Sequence, residues 1–266
     1  DNSLDIFLIA SDIDGDYLFF SIETSPQNGV LTLEGTLITY VPNENFNGSD
    51  SFSFTVSDGF LSDTAEVSLT IEAVNDAPVL ATVSDVSFDE DTSGSTSLSG
   101  SDIDGDDLTY SISGGSDITA TLSGSDVSFS APANFNGSEA FTITVTDGEL
   151  SDYQSFTVTV NAVNDAPVAT VGLSGSTNED QSVVVNLSGS DIDGDNLTFS
   201  LDTDAANGSV VIDGTIATYT PTSNFNGDDS FSFTVSDGEL TDTAEVSLTI
   251  EAVNDAPVLA TVSDVS

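Results

Sequence analysis

The sequence predicts an all-β chain, a tandem array of three sandwich domains, and three observations carry that reading. An acidic motif recurs almost unchanged, at Ser11-Asp12-Ile13-Asp14-Gly15-Asp16, Ser101-Asp102-Ile103-Asp104-Gly105-Asp106 and Ser190-Asp191-Ile192-Asp193-Gly194-Asp195. Each copy is followed by Asn-Asp-Ala-Pro, at residues 75–78, 164–167 and 254–257, so the chain repeats with a period of 89 to 90 residues. Between these landmarks apolar residues alternate with Ser and Thr, the period of a strand that has one face in a core and one in water. A fixed period of this length marks an array of structural units.

The strands follow from that alternation. Phe52, Phe54 and Val56 fall on one face of one run, and Val67, Leu69 and Ile71 on one face of the next. Their counterparts are Phe141, Ile143 and Val145 with Phe156, Val158 and Val160, then Phe231, Phe233 and Val235 with Val246, Leu248 and Ile250. Asp58-Gly59, Asn28-Gly29, Asn47-Gly48 and their equivalents lie between runs, where turns need residues that tolerate positive φ. Helix signals are missing. Six or seven short strands per repeat make two packed sheets.

The repeats are placed at residues 1–75, 76–164 and 165–254, with 255–266 as the first strand of a following repeat. Proline stiffens each linker, at 72–78, 161–167 and 251–257. Asp1 aligns with Asp91, so the first repeat is expected to lack its first strand. Residues 64–87 and 243–266 are identical over 24 positions, and 256–266 match that strand. The chain therefore reads as a window on a longer polypeptide, or as a subunit that tiles end to end by exchanging a strand.

Composition narrows the function. The chain has 46 Asp and Glu and no Lys, Arg or His, for a formal net charge of −46. A nucleic-acid binder needs basic residues to displace counterions from phosphates, and an anionic membrane surface repels this chain. No stretch is long and apolar enough to be inserted in a bilayer. Disorder does not fit, because hydrophobic residues are 38% of the chain and they alternate. Without cysteine no disulfide staples the domains, and a divalent cation is the natural substitute. Catalysis is not expected, since no His, Cys or Lys stands ready as base or nucleophile, and paired acids repeated at every junction suit structure better than glycoside chemistry.

Four acidic clusters recur in step: Asp-x-Asp-Gly-Asp, the Asp-Gly after the phenylalanine strand, Asn-Asp before Ala-Pro, and Glu-Asp twelve residues after the linker proline. Calcium takes six to eight oxygen ligands, more than any one cluster supplies, so a site shared at the junction would collect them. An ordinary turn explains any single cluster, but not four in register.

These motifs carry a resemblance. The stretch from Asp102 to Ile112, with Asp-x-Asp and then Tyr-Ser-Ile, is similar to a cadherin element, and residues 72–78 resemble the cadherin linker. With Tyr40-x-Pro42, Phe46-Asn47-Gly48 and Asp50-Ser51-Phe52, all three repeats resemble the bacterial cadherin-like (Ig-like) tandem repeats of giant calcium-dependent surface adhesins. The resemblance implies cadherin-like sandwiches joined by calcium-binding linkers. Carried across, the junction between repeats two and three would use Glu90, Asn164, Asp165, Asp191, Asp193 and Asp237. The junction between repeats one and two would use Asn75, Asp76, Asp102, Asp104 and Asp147, with Glu72 as a further candidate. Asp12, Asp14 and Asp58 at one end, and Glu179, Asn254 and Asp255 at the other, match the same pattern. The Asp-Arg-Glu element of animal cadherins is absent and Asn161 replaces the linker Glu, which implies fewer ions or weaker binding.

The function so implied is an extracellular extender of a bacterial surface adhesin or filament, stiffened by Ca2+, whose partners are neighbouring repeats or copies of the same chain. The alternative is a module that binds glycan or a partner surface. Its place to look is repeat two, where Gly114-Gly115-Ser116-Asp117 replaces Pro26-Gln27-Asn28-Gly29.

Overall fold

The computed structural model describes residues 2–257 and 259, and among them every regular element is a β-strand. The chain forms two compact units. The first comprises Asp1–Phe88, Thr92–Ala131 and Ser138–Thr159, and the second Asp89–Asp91, Pro132–Gly137 and Val160–Ser266. The segment 255–266 expected to begin a further repeat lies outside the described residues from Val258 on, Leu259 excepted.

In the first unit, the first repeat stacks two three-stranded antiparallel sheets. One runs Phe19–Thr24, Gly48–Ser57, Ser62–Ile71, and the other Leu4–Phe7, Leu37–Pro42, Gly29–Glu34. Phe52 lies opposite Val67 and Phe54 opposite Ala65, so the apolar faces anticipated from the alternation coincide. Ile38, Tyr40 and Phe52 close the core between the sheets. The second repeat has a four-stranded sheet in the order Thr109–Gly114, Gly137–Thr146, Ser151–Asn161, Val86–Asp89, and a three-stranded one of Thr119–Ser123, Asp126–Ser130, Ser93–Ser97. Phe129, Phe141 and Phe156 pack edge-on and tilted in its core, with ring centroids 5.4 to 6.2 Å apart.

The second unit holds the third repeat. Its larger sheet runs Ser174–Asn178, Thr241–Glu251, Gly227–Ser236, Thr198–Thr203, and the first pair is parallel, with Gly175 beside Leu248 and Thr177 beside Ile250. Val183–Asn186, Ile216–Pro221 and Gly208–Asp213 form the smaller sheet.

Identical sequences are buried differently in the two outer repeats. Ala244, Val246 and Ile250 are 6%, 0% and 3% exposed, whereas Ala65 is exposed and Val67 and Ile71 are only half-buried. The difference is the strand Ser174–Asn178, which covers that edge in the third repeat. No described strand covers it in the first.

One expected turn is not a turn of that kind. Asn28-Gly29 was assigned to a positive-φ turn from its sequence, but Gly29 opens the strand Gly29–Glu34 without positive φ. Glycine is required there because a Cβ would stand 2.3 Å from the Tyr40 ring.

Candidate metal centre

Each junction begins with a turn that the motif builds for itself. Asp102 Oδ1 accepts the backbone N–H groups of Asp104 and Gly105 at 2.8 and 3.1 Å, and Asp191 Oδ1 those of Asp193 and Asp195 at 3.0 and 3.2 Å. These short-range bonds let the carboxylates gather where strands would splay them. Oxygens of Asp102, Asp104 and Asp106 come within 4.8 Å of one another, as do those of Asp191, Asp193 and Asp195. Asp106 and Asp195 stand in the motif but were not singled out from the sequence; the signal was the third acid of Asp-x-Asp-Gly-Asp.

The linker is pinned to this turn. At the first junction the Asp76 N–H donates to Asp104 Oδ2 at 2.8 Å, and the Asn75 side chain donates to Asp147 Oδ2 at 2.8 Å. The second junction repeats both contacts, Asp165 N–H to Asp193 Oδ2 at 2.8 Å and Asn164 to Asp237 Oδ2 at 3.0 Å. Asp147 lies below the usual carboxylate range because the Leu150 N–H, Asn75 and the Glu149 N–H hydrogen-bond its charged form. Asp237 is lowered by Asn164 and by the N–H groups of Glu239 and Leu240. Glu72 is exposed and lines a cleft with Asp76 and Asp104.

The second junction gathers more acid, and all of its groups lie within the second unit. Glu90 is 4% exposed, and its Oε1 accepts the Val163 N–H at 2.6 Å. The Asn134 side-chain nitrogen, turned toward them, reaches Asp91 Oδ2 at 3.1 Å and Asp165 Oδ2 at 3.3 Å. Asp165 is pushed above the usual carboxylate range by burial and by the charges of Asp193, Asp91, Glu90 and Asp191. Asp91 belongs to the Glu-Asp cluster expected at the junction, although only Glu90 of that pair enters the ligand set read from the sequence; Asn134 has no sequence signal of its own.

A cation fits this donor set. Among the described residues the buried side-chain oxygens without any hydrogen-bond partner are Glu90 Oε2, Asp102 Oδ2 and Asp191 Oδ2. All three belong to the junctions. A buried carboxylate oxygen with no donor is costly, and the chain has no basic side chain to offer one. Donors that are all oxygen suit a hard divalent ion.

The remaining candidates are not gathered in this way. Asp12 holds the N–H groups of Asp14 and Asp16, and Asp58 those of Phe60 and Leu61. Glu179 is buried and accepts the Val253 N–H, as Glu90 accepts that of Val163. Among the described residues the Asn254 side chain donates to the Asp255 carbonyl oxygen at 3.4 Å.

Comparison with known proteins places the chain. The family model described as bacterial Ig domain matches three times in tandem, at residues 1–70, 75–161 and 164–249. The chain belongs to the bacterial Ig domain family. Its fold is that of cadherin repeats: mouse protocadherin-24 EC1-3 superposes with a TM-score of 0.51 at 14% identity, over 93% of this chain and 92% of that one. Chitinase A of Pseudoalteromonas piscicida is 31% identical over 155 residues, 57% of this chain and 19% of the chitinase. An endo-fucoidan hydrolase of glycoside hydrolase family 107, MfFcnA4, matches at 21% identity with a TM-score of 0.30, over 95% of this chain and 42% of that one. The bacterial Ig chain thus spans a minor part of both relatives. Among its described residues no helix is long and apolar enough to cross a membrane.

Proposed function

We propose that this chain is an extender segment of a bacterial extracellular adhesin or filament, whose junctions are made rigid by Ca2+. The observation that carries the reading is the set of buried oxygens of Glu90, Asp102 and Asp191 that have no donor, each beside a linker already tied down by the next repeat. Calcium, when bound, supplies the positive charge that the chain lacks and a demand for several oxygens at once. Asp102, Asp104 and Asp76 would hold it at the first junction, and Glu90, Asp165, Asp191 and Asp193 at the second.

Without it, like charges crowd each junction, and net repulsion from a formal charge of −46 opposes compactness. The protein's own contribution is orientation, since the Asx turns and the linker N–H bonds set the carboxylates in place beforehand. No catalytic role is included, because the chain offers no His, Cys or Lys beside a serine. The shared stretch with chitinase A supports a spacer, a part that recurs in proteins whose working domains lie elsewhere. An extracellular setting agrees with the absence of cysteine only if another staple is present, and calcium at millimolar concentration provides it.

The test is calorimetric titration of the chelated chain with calcium, combined with solution scattering. Saturable binding together with a fall in the radius of gyration supports the reading. Identical scattering in excess chelator and in millimolar calcium refutes it.

A further inference from the structure

At the second junction three segments distant in sequence meet at one side chain. Asn134 stands in the left-handed region at φ 57°, and Asp91 does so at φ 60°. The Asn134 N–H donates to Asp91 Oδ1 at 3.2 Å, which ties its loop to that residue. The third repeat builds the same loop, with Asn224 at φ 59° and its N–H on Asp180 Oδ1 at 3.1 Å. Backbone geometry explains why an Asn stands here, since Asn tolerates this conformation better than most side chains. It does not explain where the amide points. One end of the Asn134 amide lies 3.1 Å from Asp91 Oδ2 and 3.3 Å from Asp165 Oδ2, two acids that no basic side chain of this protein neutralises.

We propose that Asn134 serves this centre with both ends of its amide: the nitrogen holds Asp91 and Asp165 together while the centre is empty, and the amide turns over to give calcium its oxygen when the centre fills. The inference rests on the calcium reading above and adds a ligand and a switch to it. An amide allows this because its two ends are nearly the same shape, yet NH2 donates and C=O accepts. With nitrogen forward, each N–H meets a carboxylate and two like charges are bridged. With oxygen forward, the same oxygens face one another about 3 Å apart, an arrangement that is costly unless a cation joins them. That spacing is also the one between neighbouring ligands of a single calcium, which lie roughly 2.3–2.6 Å from the ion.

The neighbours of the amide are prepared for the same ion. Asp165 is tied through its N–H to Asp193 Oδ2, and Glu90, next to Asp91 in the chain, keeps a buried Oε2 that has no donor. At the first junction Asn45, at φ 61°, lines the cleft that holds Asp76 and Asp104, so the same residue type stands beside the equivalent acids there. The number of charged ligands sets calcium affinity, and a neutral oxygen at this place keeps it lower than a further carboxylate would. In return the empty centre stays ordered, because the amide that serves the ion also bridges the acids without it.

Two substitutions separate the ends of the amide. Asn134→Gly accepts the φ of 57° and removes the side chain, while Asn134→Asp keeps an oxygen at either end and removes the N–H groups. In excess chelator both variants should melt below the parent chain, Asn134→Asp the lower, since a third charge joins two that have lost their bridge. In calcium, Asn134→Asp should bind at least as tightly as the parent, whereas Asn134→Gly should lose about tenfold or more in affinity by calorimetric titration. Europium(III) in place of calcium reads the ligand itself. Luminescence lifetimes in light and heavy water should count about one more metal-bound water in Asn134→Gly than in the parent, and no more in Asn134→Asp. An unchanged water count in Asn134→Gly, or the same gain in both variants, would overturn the proposal and leave calcium binding by the parent intact. A parent chain that bound no calcium would remove the reading on which the proposal rests, and the proposal with it.

Discussion

The Tyr40 hydroxyl donates to Asp50 Oδ2 across 3.1 Å inside the first repeat, and Tyr219 donates to Asp229 across 3.0 Å at the same place in the third. Asp50 also accepts the N–H groups of Gln27, Asn28 and Ser51, so one carboxylate fixes a whole loop. The second repeat solves the problem differently. Phe129 replaces the tyrosine, Ile118 replaces Gly29, and the longer Glu139 reaches out to the N–H groups of Ser116, Asp117 and Ile118. Three residues change together because they share one volume. The loop at 114–117, which differs from its counterparts, is thereby accounted for as repacking.

Asp50→Ala and Asp229→Ala should each cost about 1–3 kcal/mol, since they leave several N–H groups near the core without an acceptor. Glu139→Asp should weaken the second repeat, because the shorter side chain draws back from the loop. Denaturant unfolding of each variant, with slopes compared, measures the effect. An unchanged midpoint for Asp50→Ala would contradict the role given to it.

The same pair sets a stability window in pH. Burial by itself raises the Asp50 pKa, but the N–H groups of Gln27, Asn28 and Ser51 and the Tyr40 hydroxyl outweigh it, and the net shift is downward from 3.8. A lowered folded pKa means that this stabilisation is present above the unfolded value and is lost as pH falls through the folded one. Tyr40 is pushed from 10.0 to about 12 by burial and by Asp50. Its stabilisation is therefore complete below pH 10 and is lost between 10 and about 12. Phenolate absorbance from Tyr40 should rise together with loss of the sheet signal in circular dichroism. Its full appearance in an intact sheet would show the hydroxyl to be free.

Gly29→Ala should destabilise the first repeat by about 1–3 kcal/mol through overpacking. The Cβ would meet Cε2 and Cζ of Tyr40 at 2.3 and 2.6 Å, and a ring held between two sheets has nowhere to retreat. Tyr40→Phe in the same chain should not restore stability, because the colliding ring atoms remain. Recovery in that double variant, measured by thermal unfolding, would place the strain at the hydroxyl.

What was legible in the sequence was whatever repeats or alternates. Phe231, Phe233 and Val235 could be assigned to one buried face from a period of two, while the grouping of Asp165, Asp191 and Asp193 came from the resemblance their recurring motifs carry, and the structure joins Asp165 to Asp193. The Tyr40–Asp50 bond was not legible, since the two residues stand in separate sequence motifs and only strand register brings Asp50 under a tyrosine ten residues earlier. Asn134 was missed for a similar reason. Its approach to Asp91 and Asp165 joins three segments distant in sequence, and no local pattern records that meeting. Val67 and Val246 have identical sequence surroundings, and only the pairing of Ser174–Asn178 with Thr241–Glu251 explains why the first is half-buried and the second fully covered.

The junctions should respond separately to mutation. Asp193 accepts the Asp165 N–H and belongs to the acidic turn of repeat three, while Asp104 does the same for Asp76 in repeat two. Asp193→Ala removes a linker bond and a carboxylate from one junction only, and sites without shared partners contribute additively. We expect calcium affinity at the second junction to fall by about tenfold or more. Affinity at the first should be unchanged, and Asp104→Ala should give the converse. Spin-label or fluorophore pairs across each linker, attached at introduced cysteines, read the two junctions independently during a calcium titration. If Asp193→Ala loosened both junctions equally, the ligands would not be local, and the assignment of Asp165, Asp191 and Asp193 to one centre would fail.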